Sequence, residues 1–233
     1  MSIRTVSKNT KGGDSTMNNN IIINVGRQLG CGGFEIAQRL AAEFNARLLD
    51  KELLDLAAKE SGFSQKIFKS SDEHRGFFHH FFPSRFTMQP NGTFYDNKIS
   101  PESLFQFQSD AIRKAAEEGP CVIVGRCADY ILRDFPNSVD IFVTANEEDR
   151  VARVSRSKMC DVNTARKLIE KKEEERSEYY NYYTGKTWGE AKSYDICINS
   201  SILGIEKTAE FLAEYIRKAT ASPAAEVCPP DNV

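Results

Sequence analysis

The residues best equipped for chemistry are concentrated in the stretch Gly26-Arg-Gln-Leu-Gly-Cys-Gly-Gly-Phe34. An apolar run at 21–25 precedes it and a helical pattern at 34–44 follows. A strand, a glycine-rich turn and a helix make up a phosphate-binding loop, in which successive N–H groups at the helix start face one concavity and favour an anion there. The usual pattern is G-x-x-x-x-G-K-[ST]. Gly30 and Gly32 take the places of the inner glycines, so Gly33 stands at the lysine position and Phe34 at the hydroxyl position. The backbone of Gly30, Cys31, Gly32, Gly33 and Phe34 can still cradle a donor's phosphates. The ammonium group and the magnesium-ligating hydroxyl are missing. Arg27 is the substitute cation, and its planar fork can give a phosphate a two-pronged contact. The plainer alternatives are a tight structural turn and a surface arginine.

Other candidates follow the apolar runs. Asp50 ends the second run, at the carboxyl edge where open α/β sheets bind ligands. It suits a magnesium-bound water or an acceptor's sugar hydroxyl, and equally the N-cap of the helical pattern at 51–61. Arg126 follows Val-Ile-Val-Gly at the end of the third run and faces the same crevice. Arg150, Arg153 and Arg156 recur every third residue and share a helical face. On a lid they would close over the transferring group; on a solvated face they would pair with Glu147, Glu148 and Asp149. Arg176 lies in a charged helical stretch where an exposed ion pair is the alternative.

The elements that position these residues alternate. Strands are expected at 21–25, 47–49, 121–124, 139–143 and 195–198, and helices at 34–44, 51–61, 101–118, 147–156, 162–182 and 205–218. Alternation of this kind predicts a parallel sheet covered on both faces. Pro101 opens its helix, with Ser100 as N-cap, and Gly119-Pro120 ends it; Asn146 caps the helix at 147–156. Residues 1–19 are polar and read as a disordered extension, and residues 219–233 as a disordered tail. Two segments leave the alternation: 70–100, an acceptor-side insertion rich in phenylalanine, and 157–194, a charged helix followed by a tyrosine-rich lid region. Tyr179, Tyr180, Tyr182, Tyr183 and Trp188 read first as core anchors and second as a stacking surface. Phe77, Phe78, Phe81 and Phe82 suit a partner surface or a second subunit.

Composition narrows the partners. The chain has 233 residues and a formal net charge of -2, which gives no electrostatic case for nucleic acid. No apolar run approaches the roughly 20 residues of a membrane span. Its six cysteines form no C-x-x-C pair, Cys121 and Cys197 sit in apolar runs as small apolar residues, and a reducing cytoplasm is expected. The histidines, His74, His79 and His80, lack the spacing of a zinc site, so no protein-held metal is expected.

Residues 122–156 resemble the bacterial cytidylate kinases. The resemblance rests on Gly125-Arg126, Phe135-Pro136, the strand Ile141-Phe-Val-Thr-Ala145 and the arginines at 150, 153 and 156, with Tyr194–Ser201 similar to that family's last strand. Residues 20–218 are more similar to the divergent cytidylate kinase-like group, through Gly26–Gly33, Asp50, Val124–Arg126, Tyr179–Trp188 and Tyr194–Asn199. The resemblance implies a P-loop kinase of three α/β/α layers, with a five-stranded parallel sheet and a helical lid. It also implies ATP and Mg2+ as the donor set and CMP or dCMP as the acceptor. Arg126 would then grip the acceptor's phosphate, and Arg153 and Arg176 would act as lid arginines. Cys127 stands where the relatives carry aspartate, with Asp129 as its stand-in for binding substrate. A nucleotide- or anion-binding protein without turnover, or an interaction module using the aromatic insertion, are the alternatives.

Overall fold

The computed structural model describes residues 20–50 and 101–221. The expected helix at 51–61, the insertion at 70–100 and the terminal segments at 1–19 and 222–233 lie outside the described residues. The central strand β1 (Ile22–Arg27) leads into α1 (Gly33–Glu43) and β2 (Arg47–Leu49). Then follow α2 (Pro101–Glu118), β3 (Cys121–Val124), α3 (Ala128–Ile131) and β4 (Ser138–Thr144). A hairpin of α4 (Glu147–Lys158) and α5 (Val162–Thr184) precedes β5 (Ile196–Asn199) and α6 (Ser200–Ala221).

The strands form one five-stranded sheet in the order β2-β3-β1-β4-β5, with every pairing parallel. Ile22, Ile23, Asn24 and Val25 are all buried, as a central parallel strand covered on both faces requires. Alternation then divides the core. Ile23 and Val25 pack with Ile36 and Leu40 of α1 and with Leu212 and Ile216 of α6. Ile22 packs on the opposite face with Ile112 of α2, Ile123, Leu132 and Tyr180 of α5. The chain leaves β1 towards β2 but leaves β3 towards β4, so the carboxyl ends of β1 and β3 form the switch-point crevice where such sheets bind ligands.

Local signals account for most boundaries. Pro101 opens α2, and the helix stops at Glu118 before Gly119-Pro120. The Asp161 side chain accepts from the N–H groups of Asn163 and Thr164 at 2.9 and 3.0 Å and starts α5. Gly185, at φ 68°, ends it. Asn146 occupies the N-cap position of α4, but its side chain does not cap; its Oδ1 accepts from Asn199 Nδ2 instead. The last helix starts at Ser200 rather than 205, with a break at Gly204 (φ 77°, ψ 167°), and runs on to Ala221. Cys121 is buried as expected, whereas Cys197 is exposed on the edge strand β5. Among the described residues no helix is long and apolar enough to cross a membrane.

Leu40 is fully buried between α1, the sheet and α6. Its replacement by alanine is expected to lower the unfolding free energy by about 2–5 kcal/mol, read by urea denaturation.

Candidate active site: an arginine-lined crevice

A cavity of about 690 Å³ opens at the carboxyl ends of β1 and β3. Gly26, Arg27 and Leu29 line it from the first loop, Asp50 from the end of β2, and Gly125 to Asp129 from the turn after β3. One face of α5 closes it, through Leu168, Lys172, Glu175, Arg176 and Tyr179, together with Tyr180, Trp188 and Tyr194.

Arg27 is the last residue of β1, paired with Val143, so strand alternation sends its side chain to the α1 face together with Ile23 and Val25. There it meets the start of α1. A Cβ at Gly33 would lie 2.7 Å from Arg27 Cβ and 3.2 Å from Arg27 Cγ. A lysine at position 33 has no room because Arg27 already fills that space. The guanidinium continues to the turn after β3, where a Cβ at Gly125 would overlap Arg27 Nη1. Arg27 is half-buried and lines the cavity. Burial, then the neighbouring Arg176 and, more weakly, Arg126 push its pKa down to about 10. Burial also lowers Arg176, whose Nη1 donates to Arg27 O at 2.8 Å. A guanidinium weakened by burial and by neighbouring guanidiniums is suited to an anion beside it.

Arg126 reaches the cavity through an unusual turn. Gly125, Arg126 and Cys127 all have left-handed φ, at 78°, 58° and 57°. Side chains rarely adopt this region, and such strain concentrates at functional sites. The Arg126 guanidinium lies 5.2 Å from the centre of the Tyr179 ring. Asp129, two residues beyond Cys127, is buried, and its Oδ2 accepts from Tyr180 Oη at 2.6 Å with Lys186 Nζ at 4.0 Å. Burial raises its pKa, against the opposing Tyr180 hydrogen bond.

The loop itself is a left-handed turn at Gly30 and Gly32, both buried or half-buried, and its carbonyls are held from outside. Arg153 is not brought to the cavity. Its Nη1 donates to Gly30 O at 3.0 Å, while Arg150 Nε donates to Leu29 O at 2.9 Å and Arg150 also pairs with Glu173. Arg156 is exposed, and Glu147 pairs with Arg166 rather than with an arginine of its own helix. Of the residues expected to cradle phosphate, only Phe34 lines this cavity; Gly30, Cys31, Gly32 and Gly33 form the turn behind it. Cys31 O accepts from Ser200 Oγ at 2.6 Å, and burial raises the Cys31 thiol's pKa.

The tyrosine-rich segment divides between the two uses expected of it. Tyr180 is buried in the core, Tyr183 stacks on Phe105 with centroids 4.0 Å apart, and Tyr182 is exposed. Tyr179, Tyr194 and Trp188 face both core and cavity. Sequence reasoning missed Lys172 and Glu175. Helical spacing from Arg176 carries the signal, because residues four before it, beside it and three after it share its face. Below the cavity a polar seam crosses the sheet: Asn24 Nδ2 donates to Ser138 Oγ at 2.9 Å and to Asp140 Oδ1 at 2.8 Å. Burial pushes Asp140 up to about 6, against the Asn24 hydrogen bond and helped by Asp129 and Asp195.

A parallel sheet of this order, a glycine-rich turn between β1 and α1 and a cationic crevice at the switch point define an α/β fold with an anion-suited crevice at its carboxyl edge. Residues 22–202 match the cytidylate kinase-like family, and the chain belongs to that family. This places it among nucleotide-kinase-like proteins. No curated protein matches the chain. It is similar to an uncharacterized protein from Eubacterium ventriosum, at 29% identity and a TM-score of 0.65 over 84% of this chain and 98% of that one. It is also similar to a shikimate kinase from Bacteroides thetaiotaomicron, at 13% identity and a TM-score of 0.48, again over 84% and 98%.

Two outcomes follow from this geometry. Gly33→Ala is expected to destabilise the protein by about 1–3 kcal/mol through overpacking against Arg27. In an Arg27→Gly background the same change is expected to cost less, with Cys31 Sγ, 3.1 Å from the added Cβ, as the remaining close neighbour; urea denaturation reads both. Asp140 binds its proton more tightly folded than unfolded, so it stabilises the protein at low pH and that contribution is lost as pH rises from 3.8 through about 6. Asp140→Asn should remove this fall, giving a flatter or more positive slope of unfolding free energy against pH in that window.

Proposed function

We propose that the protein is a nucleotide-dependent phosphotransferase, with ATP and Mg2+ as the donor set and a nucleoside monophosphate, CMP by family resemblance, as acceptor. The observation that carries this reading is the Arg27 side chain lying over Gly33, where it fills the space of the absent lysine and meets two further arginines in one crevice. Phosphoryl transfer needs little covalent help from a protein; it needs the phosphates aligned and their charge neutralised. Arg27 supplies a cation beside the first loop, Arg126 one from the β3 side and Arg176 one from α5. ATP would supply the phosphoryl group to an acceptor oxygen, leaving ADP, and magnesium would neutralise charge on the phosphates.

Phe34 cannot ligate a metal, and among the described residues no cluster of three His, Cys, Asp or Glu side chains could hold one. Magnesium therefore fits as an ion brought by the nucleotide, with most of its waters retained. Asp50 is proposed to meet one of those waters or the acceptor's sugar hydroxyl, and Asp129, held by Tyr180, to contact the acceptor. Gly33 and Phe34, in place of lysine and hydroxyl, favour a second reading: a nucleotide-binding protein without turnover.

Incubation with ATP, Mg2+ and a panel of nucleoside monophosphates tests both. The first reading expects ADP formation that falls about a hundredfold or more in Arg27→Ala or Arg126→Ala, as loss of a charge-stabilising group does elsewhere. Thermal stabilisation by ATP without any ADP would establish the second reading instead. No response to any nucleotide would overturn both.

A further inference from the structure

The turn that would cradle phosphate is held by its carbonyls. Leu29 O, Gly30 O and Cys31 O are taken in sequence by Arg150, Arg153 and Ser200. Every described peptide bond is trans, and in a trans peptide the C=O and the following N–H point in opposite directions. Pinning these carbonyls against α4 and the start of α6 therefore turns the N–H groups of Gly30, Cys31 and Gly32 away from those helices. Their common orientation is what an anion-binding concavity requires.

Leu29 is held by Arg150, whose Nε donates to its carbonyl. Arg150 in turn pairs with Glu173, an ion pair between the two helices of the hairpin. Arg150 is buried at 6% exposure, and a Cβ at Gly30 would lie 2.7 Å from Arg150 O, so the loop rests directly on α4. Neither Arg150 nor Glu173 lines the cavity. Both therefore act on the loop from behind it.

We infer that Arg150 and Glu173 are positioning residues: Glu173 holds the Arg150 guanidinium, Arg150 fixes the Leu29 carbonyl, and together with Arg153 and Ser200 on the next two carbonyls this sets the direction in which the amides of Gly30, Cys31 and Gly32 point. The inference rests on the phosphate-binding reading of this loop. A P-loop with its lysine is shaped partly by the ligand contacts that lysine makes. Here the shape is set before any ligand arrives, by arginines spent on loop carbonyls. A consequence is that α4 and the loop move together, since Arg150 ties Leu29 to that helix.

The test uses the full chain with Glu173→Gln and Arg150→Lys, which keep side-chain bulk. Arg150 meets Leu29 O through Nε and Glu173 through Nη2, and a lysine, with all its donors on one nitrogen, cannot reproduce that two-nitrogen contact. Amide hydrogen exchange of the ligand-free protein is read at Gly30–Gly32 and at Val25 in the central strand, and ATP affinity is read by calorimetry. Each variant is expected to speed exchange at Gly30–Gly32 while leaving Val25 unchanged, and to weaken ATP binding about tenfold, the size of one lost charge-assisted hydrogen bond. The double variant should bind no more weakly than the worse single variant, because the two residues form one clamp. Unchanged exchange at Gly30–Gly32, or faster exchange at Val25 in parallel, would overturn the inference. If the wild type binds no ATP while loop exchange still rises in both variants, the clamp stands and the phosphotransferase reading fails.

Discussion

Two side chains cannot occupy one space, and the site follows from that constraint at Gly33. A lysine in the usual place would have to leave α1 through the volume that Arg27 fills. The arginine reaches it because β1 continues to residue 27, and strand alternation carries that residue to the face on which α1 packs. Gly125 gives the guanidinium its passage towards the end of β3. The missing lysine and the added arginine are thus one exchange, made between adjacent parts of the same loop. Burial and the nearby Arg176 weaken Arg27's hold on its proton, but at about 10 its pKa still keeps it charged at neutral pH.

The hairpin of α4 and α5 serves the crevice from two sides. One face of α5 presents Lys172, Arg176 and Tyr179 to the cavity. The other contacts, from Arg150 and Arg153, with Glu173 paired to Arg150, hold the loop behind it. The C-terminal end of α5 is fixed to the core through Tyr180 and its bond to Asp129. Wall, loop and sheet are consequently joined by short polar contacts as well as by packing.

Much of the fold was legible in the sequence because its signals are local. Apolar runs marked the strands, and Pro101 and Gly119-Pro120 marked α2 to the residue. The start of α6 was not legible: residues 199–204 lay between the expected strand and the expected helix, and the turn of helix there is set off by the break at Gly204, with Ser200 reaching Cys31 O. In the site, Arg27, Asp50, Arg126 and Asp129 were readable because they stand at or just after strand ends, and Arg176 through the family resemblance; the structure brings these five to one crevice, with the turn Gly30 to Gly33 behind it. Arg153 was recognised as part of a ridge, but spacing along a helix says which residues share a face and not what that face meets. Glu173 carried no signal at all, because its partner is Arg150 on the other helix of the hairpin, 23 residues away in sequence.

The most direct measurement follows the guanidinium Nε–Hε groups by NMR while a non-hydrolysable ATP analogue is added. The account predicts that the Arg27 resonance shifts and saturates at the same ligand concentration as the amides of Gly30 to Gly33. Loop amides that respond while Arg27 does not, or a titration that leaves both unmoved, would contradict the claim that this arginine stands in for the lysine.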